Sequence, residues 1–256
     1  MRRWPSGVRP TETTCSSGVI YGPIKHGDYE KVLALYRNNH PFLSSFMLAS
    51  PGGDVVEAIK IGRLFRKYLI MANAPLHVPF PEGGETFTSE GEPECQGGRC
   101  ICASACALIW FGAVYRMGSV GLHRPRTDDP YFKGLAPADA AGAYRRALNS
   151  IRLYLDEMEA PNPMIEAMVA TGSADIKWVD ANDELERPPS LAEWEDTTCG
   201  GFSIKDRSVL SHLRAEHSDL SQQEQSLRDQ LAKRQSKWFL CQVELLSRNR
   251  DKLSPP

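Results

Sequence analysis

The chain has no run of apolar residues near the roughly 20 that a membrane-crossing helix needs, so no span is expected. It has no surplus of positive charge: 30 lysines and arginines against 32 aspartates and glutamates leave a net charge of -2. That balance argues against wholesale nucleic-acid binding. Behind Met1-Arg-Arg-Trp-Pro-Ser6 there is no apolar stretch of the kind a secretory leader carries, so no signal peptide and a cytoplasmic setting are expected. There is no internal repeat and no low-complexity tract, which removes solenoids and biased tails.

What is present suits a soluble globular protein. A length of 256 residues, 41% apolar and 24% charged, fits one large domain or one domain plus an extension. Seven cysteines are an odd number, and Cys95, Cys100, Cys102 and Cys106 crowd one segment. A zinc site wants four ligands, usually as two separated pairs, which this spacing does not supply. Disulfides would imply an oxidising compartment and hence a periplasmic setting. Reduced thiols would pack as small apolar groups. All three readings stay open here.

In chain order, residues 1–16 are polar and read as a loose arm. Gly18 to Ile24 reads as a strand ending in a turn. Asp28 is placed to cap a helix with Tyr29, Val32, Leu33 and Tyr36 inward. Phe42 to Ala49 is apolar and of strand length, and Ser-Pro-Gly-Gly follows at once. Asp54 then sits where an N-cap belongs. Val55, Ala58, Ile59, Ile61, Gly62, Leu64, Phe65 and Tyr68 continue at helical spacing, with Arg63, Arg66 and Lys67 mostly opposite. Leu76 to Val78 is a short strand. Residues 79–99, rich in Pro, Gly and Glu, read as an inserted surface loop.

Ile101 to Val114 is the most apolar stretch and reads as a buried helix. Ser119 to His123 is a short strand, and residues 124–135 a polar loop. Pro137 to Met158 and Pro161 to Ala170 are helical, and Asp175 to Val179 strand-like. Asp180 to Gly201 is acidic and turn-rich. Asp206 to Ser247 reads as one long polar helix. Its stripe of Leu213, Leu220, Leu227, Leu231, Trp238 and Leu245 carries a stutter. That stripe packs on its own domain, on a neighbouring subunit or on a partner helix.

Strand, Gly-Gly turn, helix, strand, then a serine at a helix mouth is the logic of an α/β sheet with its site at strand ends. If Ser104 opens a helix, the Ala105 amide is unpaired within it and lies beside a potential nucleophile. The Gly53 amide would then be a second oxyanion donor, and His123, nineteen residues past Ser104, would be the base. Taken singly, each has a plain reading: a small packing serine, a structural histidine, an ordinary turn. Their order within one α/β pattern favours a site.

Leu48-Ala-Ser-Pro-Gly-Gly-Asp-Val-Val-Glu-Ala58, Ala103-Ser-Ala-Cys-Ala-Leu-Ile109 and Val120-Gly-Leu-His-Arg-Pro125 together resemble the proteolytic subunit of Clp proteases. That family belongs to the Clp/crotonase superfamily with signal peptide peptidase A. The chain looks most like bacterial Clp-protease-like proteins with the nucleophile in a Cys-Ala-Ser-Ala-Cys setting. The resemblance runs from about Gly18 to about Glu186. It implies a spiral of ββα units and a Ser-His-Asp triad cutting peptide bonds. Ser104 matches the nucleophile, His123 the base, and Gly53 and Ala105 the oxyanion donors. Asp175, just before a late strand, matches the acid, with Asp180 in reserve.

The implied organisation is an arm over 1–16, a Clp/crotonase-like α/β domain over 17–187, and a mostly helical extension over 188–256. The implied activity is a serine peptidase with a peptide or protein substrate, needing no metal or other cofactor. A homo-oligomer is expected, with an unfoldase or helical partner. The segment from Ser104 to His123 is shorter than in the Clp subunit, and the 79–99 insertion and the tail have no counterpart there. Two rivals stand beside this: a non-catalytic assembly module that uses the C-terminal helix, and a crotonase-type acyl-thioester enzyme without a nucleophilic serine.

Overall fold

The computed structural model describes residues 7–10, 16–79, 85–88, 100–126, 135–182, 185–215 and 220–253. The chain divides into two compact units, one running to Pro188 and one comprising Pro189–Ser254.

The first unit is a mixed α/β fold on a largely parallel sheet. Strand β1 (Gly7–Pro10) pairs antiparallel with β2 (Ser17–Tyr21). Helix α1 (Asp28–Asn39) leads to β3 (Ser45–Ala49), and α2 (Val55–Lys67) leads to β4 (Met71–Asn73). Next come the hairpin β5 (Leu76–Pro79) and β6 (Glu85–Thr88), then α3 (Ala105–Gly112), β7 (Arg116–Met117) and β8 (Ser119–Leu122). Helices α4 (Pro137–Glu157) and α5 (Asn162–Ala170) and strand β9 (Lys177–Asp180) complete the unit. The main sheet runs β1-β2-β3-β4-β7, parallel from β2 onward, and β8 pairs antiparallel with β9.

Several expectations change. Part of the 1–16 arm is strand β1, an edge position where Pro10 costs no ladder bond it must donate. Part of the 79–99 loop is β6, where Glu-Thr-Phe-Thr has the alternation and β-branching of a strand; most of the rest lies outside the described residues. Strands β4 and β7 were invisible because two or three residues carry no readable period. Asp28 is the first residue of α1 and not its cap: Gly27 holds that place, and the Asp28 carboxylate accepts from the Lys25 amide at 2.7 Å.

Helix α2 begins as expected: the Asp54 carboxylate accepts from the amides of Val56 and Glu57 at 2.8 and 3.0 Å. Its inner face packs on the sheet, with the Phe46 and Phe65 rings 4.9 Å apart. Helix α3 is apolar all round, and every residue of it is buried. Arg66, expected on the outer face, instead donates to the carbonyls of Phe111, Gly112 and Met158 at 3.2 to 3.3 Å. Arg116, fully buried, donates to Phe111, Ala113 and Met158. Burial, and then the neighbouring Arg66, pull Arg116 down to about 9, so it stays charged at neutral pH. Two guanidiniums thus satisfy the carbonyl ends of α3 and α4, where the helix dipole is negative.

Glu57 ties α2 to α1. Its buried carboxylate accepts from the amides of Gly27 and Tyr29 at 3.1 and 3.0 Å and from Lys60 at 2.9 Å. Burial by itself would raise its pKa. The Tyr29 amide, Lys60 and the Gly27 amide outweigh that and hold it below the ordinary 4.5. A carboxylate depressed in the folded state adds stability above its unfolded pKa and loses it as pH falls through the folded value. Glu57→Gln should therefore cost about 1–3 kcal/mol at pH 7 and less in acid. Urea unfolding at pH 7 and pH 3 checks this; an equal cost at both would refute the ionic role.

The second unit holds α6 (Pro189–Cys199), α7 (Ile204–Ala215) and α8 (Gln222–Lys252). The single helix expected over 206–247 is two helices. Ser221 and Glu224 form a reciprocal capping box that starts α8. The leucine stripe packs within the unit: Leu213 and Leu231 join Phe202 and Leu210 in a buried cluster, with Leu220 and Trp238 against it. Leu227 stays 43% exposed. A Cys199–Cys241 disulfide ties α6 to α8. Among the described residues no helix is long and apolar enough to cross a membrane.

Candidate active site

The site begins with the turn after β3. Ser50 is wholly buried; its hydroxyl accepts from the Gly52 amide at 3.1 Å, and its carbonyl accepts from the Ala103 amide at 3.0 Å. Gly52 and Gly53 have φ of 101° and 138°, a region that side-chain-bearing residues avoid. Space demands glycine as well. A Cβ on Gly52 would lie 2.6 Å from the Ser104 Cβ and 3.0 Å from the Ala105 nitrogen. A Cβ on Gly53 would lie 2.2 Å from the Ile24 carbonyl oxygen. The two motifs read from the sequence therefore meet backbone to backbone.

Ser104 sits on the elbow into α3. Ala103 bridges Gly121 of β8, the Ser104 amide donates to the Gly121 carbonyl at 2.8 Å, and the Gly121 amide donates to Cys102 at 2.8 Å. The Ser104 backbone has φ 58° and ψ -123°, a costly conformation for a residue with a Cβ. It occupies the N-cap place, yet its hydroxyl caps nothing and makes no hydrogen bond among the described residues. The amide of Ala105, first in α3, has no acceptor among the described residues, and neither does that of Gly53. The first of these lies at the positive end of a helix dipole.

His123 follows β8 directly and is 8% exposed. Its Nδ1 lies 2.9 Å from the Arg124 carbonyl oxygen. With the proton on Nδ1 and donated there, Nε2 carries the free lone pair. The ring makes no hydrogen bond to Ser104 or to Asp175.

Asp175 is exposed, in a turn closed by its own amide on the Gly172 carbonyl at 3.0 Å. The Arg124 amide donates to Thr171 at 3.1 Å, which draws this turn alongside the residue after His123. The β8–β9 register pairs Leu122 with Lys177, so Asp175 lies beyond the same ladder end as His123. Asp180 is opposite Ser119 at the far end and accepts from its hydroxyl at 2.5 Å.

Cysteine chemistry departs from the thiol and zinc readings. Cys102 and Cys106 form a disulfide across Ser104, with Cα atoms 5.2 Å apart, and Cys100 is also disulfide-bonded. Cys95 lies outside the described residues. Disulfides are one of the three readings of the sequence, but the spacing does not say which cysteines pair. Sequence reasoning also missed Ser50 and the Arg124 carbonyl, because neither role has a residue-type signature.

No protein-family model matches the chain, and no curated protein does. Among solved structures, a ClpP1 mutant from Listeria monocytogenes is similar at 16% identity, over 66% of this chain and 85% of that chain, with a TM-score of 0.43.

Proposed function

We propose that the chain is a serine peptidase of the Clp type, with Ser104 as nucleophile, His123 as general base and Asp175 as the acid that supports it. The Ser104 hydroxyl oxygen attacks the carbonyl carbon of a peptide bond while His123 Nε2 takes its proton. The Gly53 and Ala105 amides receive the oxyanion, and one such donor contributes on the order of 3 kcal/mol to lowering the barrier. Collapse expels the amine, which takes the proton from His123. Water then repeats the sequence on the acyl-enzyme and frees the acid.

One observation carries this reading: a serine held at positive φ with an unspent hydroxyl, against a Gly-Gly turn, next to the unpaired amide of Ala105. Strain of this kind clusters at functional sites. A crotonase-type enzyme has the amides without any need for that serine geometry. Peptides or proteins are the substrates, and assembly into a homo-oligomer or with an unfoldase belongs to the same proposal. The disulfides favour an oxidising compartment over the cytoplasm.

The test is a fluorophosphonate probe on the folded chain. The wild type should be labelled at Ser104, as mapped by peptide mass spectrometry, and Ser104→Ala should not be. A folded wild-type protein that stays unlabelled would sink the peptidase reading. A second reading has one observation of its own: Phe239, Leu240 and Val243 on α8 are 50 to 66% exposed. If that face is an assembly surface and the chain is inert, loss of residues 206–256 abolishes association while Ser104→Ala changes nothing.

A further inference from the structure

We propose that the Cys102–Cys106 disulfide is the positioning device for Ser104, and that Ser104 reacts only while this bridge is closed. The inference rests on the reading of Ser104 as nucleophile. Ser104 is the midpoint of the five-residue ring that the bridge closes. On the entering side, Cys102 is held to β8 through its carbonyl, which accepts from Gly121 at 2.8 Å. On the leaving side, Cys106 lies in the first turn of α3, its amide on the Ala103 carbonyl at 3.1 Å. The bridge therefore clamps the segment entering the elbow to the helix leaving it.

Two features say why a clamp is needed. A residue with a Cβ stays at φ 58°, ψ -123° only where its surroundings over-determine it. Moreover, a serine at an N-cap ordinarily spends its hydroxyl on the amides two and three residues on. Here those amides, of Cys106 and Ala107, are on the carbonyls of Ala103 and Ser104, and the hydroxyl is free. With the bridge open, Ser104 relaxes to an ordinary cap, and its hydroxyl turns from the site to those amides. Both cysteines are wholly buried, so the closed bridge is shielded from casual exchange. A dithiol opens it by exchange: one thiolate attacks a sulfur, and its second thiol resolves the mixed disulfide. Cys102 and Cys106 gain two electrons and two protons, and the dithiol leaves as its own disulfide.

The experiment measures fluorophosphonate inactivation of the full chain as a maximal rate and a half-saturating concentration. It compares four samples: oxidised wild type, Cys102→Ala/Cys106→Ala, wild type reduced with dithiothreitol, and that sample reoxidised. A Cys199→Ala/Cys241→Ala chain, which keeps the bridge across Ser104, is the control. Opening the bridge should lower the maximal rate about 100-fold with half-saturation changed less than about twofold, since a misplaced nucleophile loses rate and not binding. Reoxidation should restore the rate, and the control should match wild type. A bridgeless variant, folded by circular dichroism, that labels at the wild-type rate overturns the proposal. If that variant does not fold, the reduced and reoxidised wild type decides, with alkylation confirming that both thiols are free. Oxidised wild type that fails to label overturns the peptidase reading itself, a result distinct from equal labelling of bridged and open forms.

Discussion

His123→Ala should lower peptide hydrolysis by roughly 10⁴-fold or more while leaving the protein folded, the size expected if His123 is the general base proposed for Ser104. The ring follows a strand that also holds the elbow: Gly121, two residues earlier, exchanges backbone bonds with Cys102 and Ser104. Removing the imidazole leaves that ladder intact, so urea unfolding should move far less than the rate. The orienting partner of His123 can be separated in the same series. The Arg124 carbonyl already accepts from Nδ1, whereas Asp175 is exposed and makes no bond to the ring. If the carboxylate takes over Nδ1 once substrate is bound, Asp175→Asn loses on the order of 10³-fold or more. A loss below about tenfold would leave the carbonyl as the orienting group and reduce the machinery to a dyad. Asp180→Asn should leave the chemistry nearly unchanged, because that carboxylate serves Ser119 at the other end of the ladder. Steady-state hydrolysis of a peptide substrate by all three variants checks these expectations.

Gly112→Ala should cost about 3–5 kcal/mol and lower the melting temperature by about 10 °C. Helices α2 and α3 cross here with no side chain between them. A Cβ on Gly112 would lie 2.3 Å from the Gly62 carbonyl oxygen and 2.4 Å from its Cα. Backbone cannot rotate away as a side chain can, so the two helices must part within a close-packed interior. Gly62 itself is filled from the other side by the Tyr154 ring, whose hydroxyl donates to the Leu108 carbonyl at 2.8 Å. Gly142→Ala on α4 is the matched control. Its Cβ would meet only the tip of Arg146 at 3.4 Å, and alanine gains up to about 1 kcal/mol over glycine in a helix. Thermal unfolding of the two variants should therefore move in opposite directions. Equal, small shifts would mean that the crossing tolerates separation. Because α3 carries Ser104 at its start, Gly112→Ala should also impair labelling, unlike Gly142→Ala.

Local signals make much of this molecule legible in its sequence. Helical spacing with Asp54 at its head marked α2, continuous apolarity marked α3, and the adjoining glycines announced a turn that only glycine can make. These are properties of neighbouring residues, set by backbone sterics, capping and periodic burial, and such properties are written along the chain. What the sequence could not convey depends on residues far apart in it. The pairing of Cys199 with Cys241, the resting of Gly52 on Ser104, and the turn of Arg66 inward to carbonyls at the end of α3 all arise from packing. So do the brief strands β4 and β7, which exist because neighbours supply their hydrogen bonds. Residue types nominated Ser104 and His123, but the free hydroxyl and the unpaired amides follow from tertiary contacts, since each is defined by which partner a polar group has or lacks once the chain is folded.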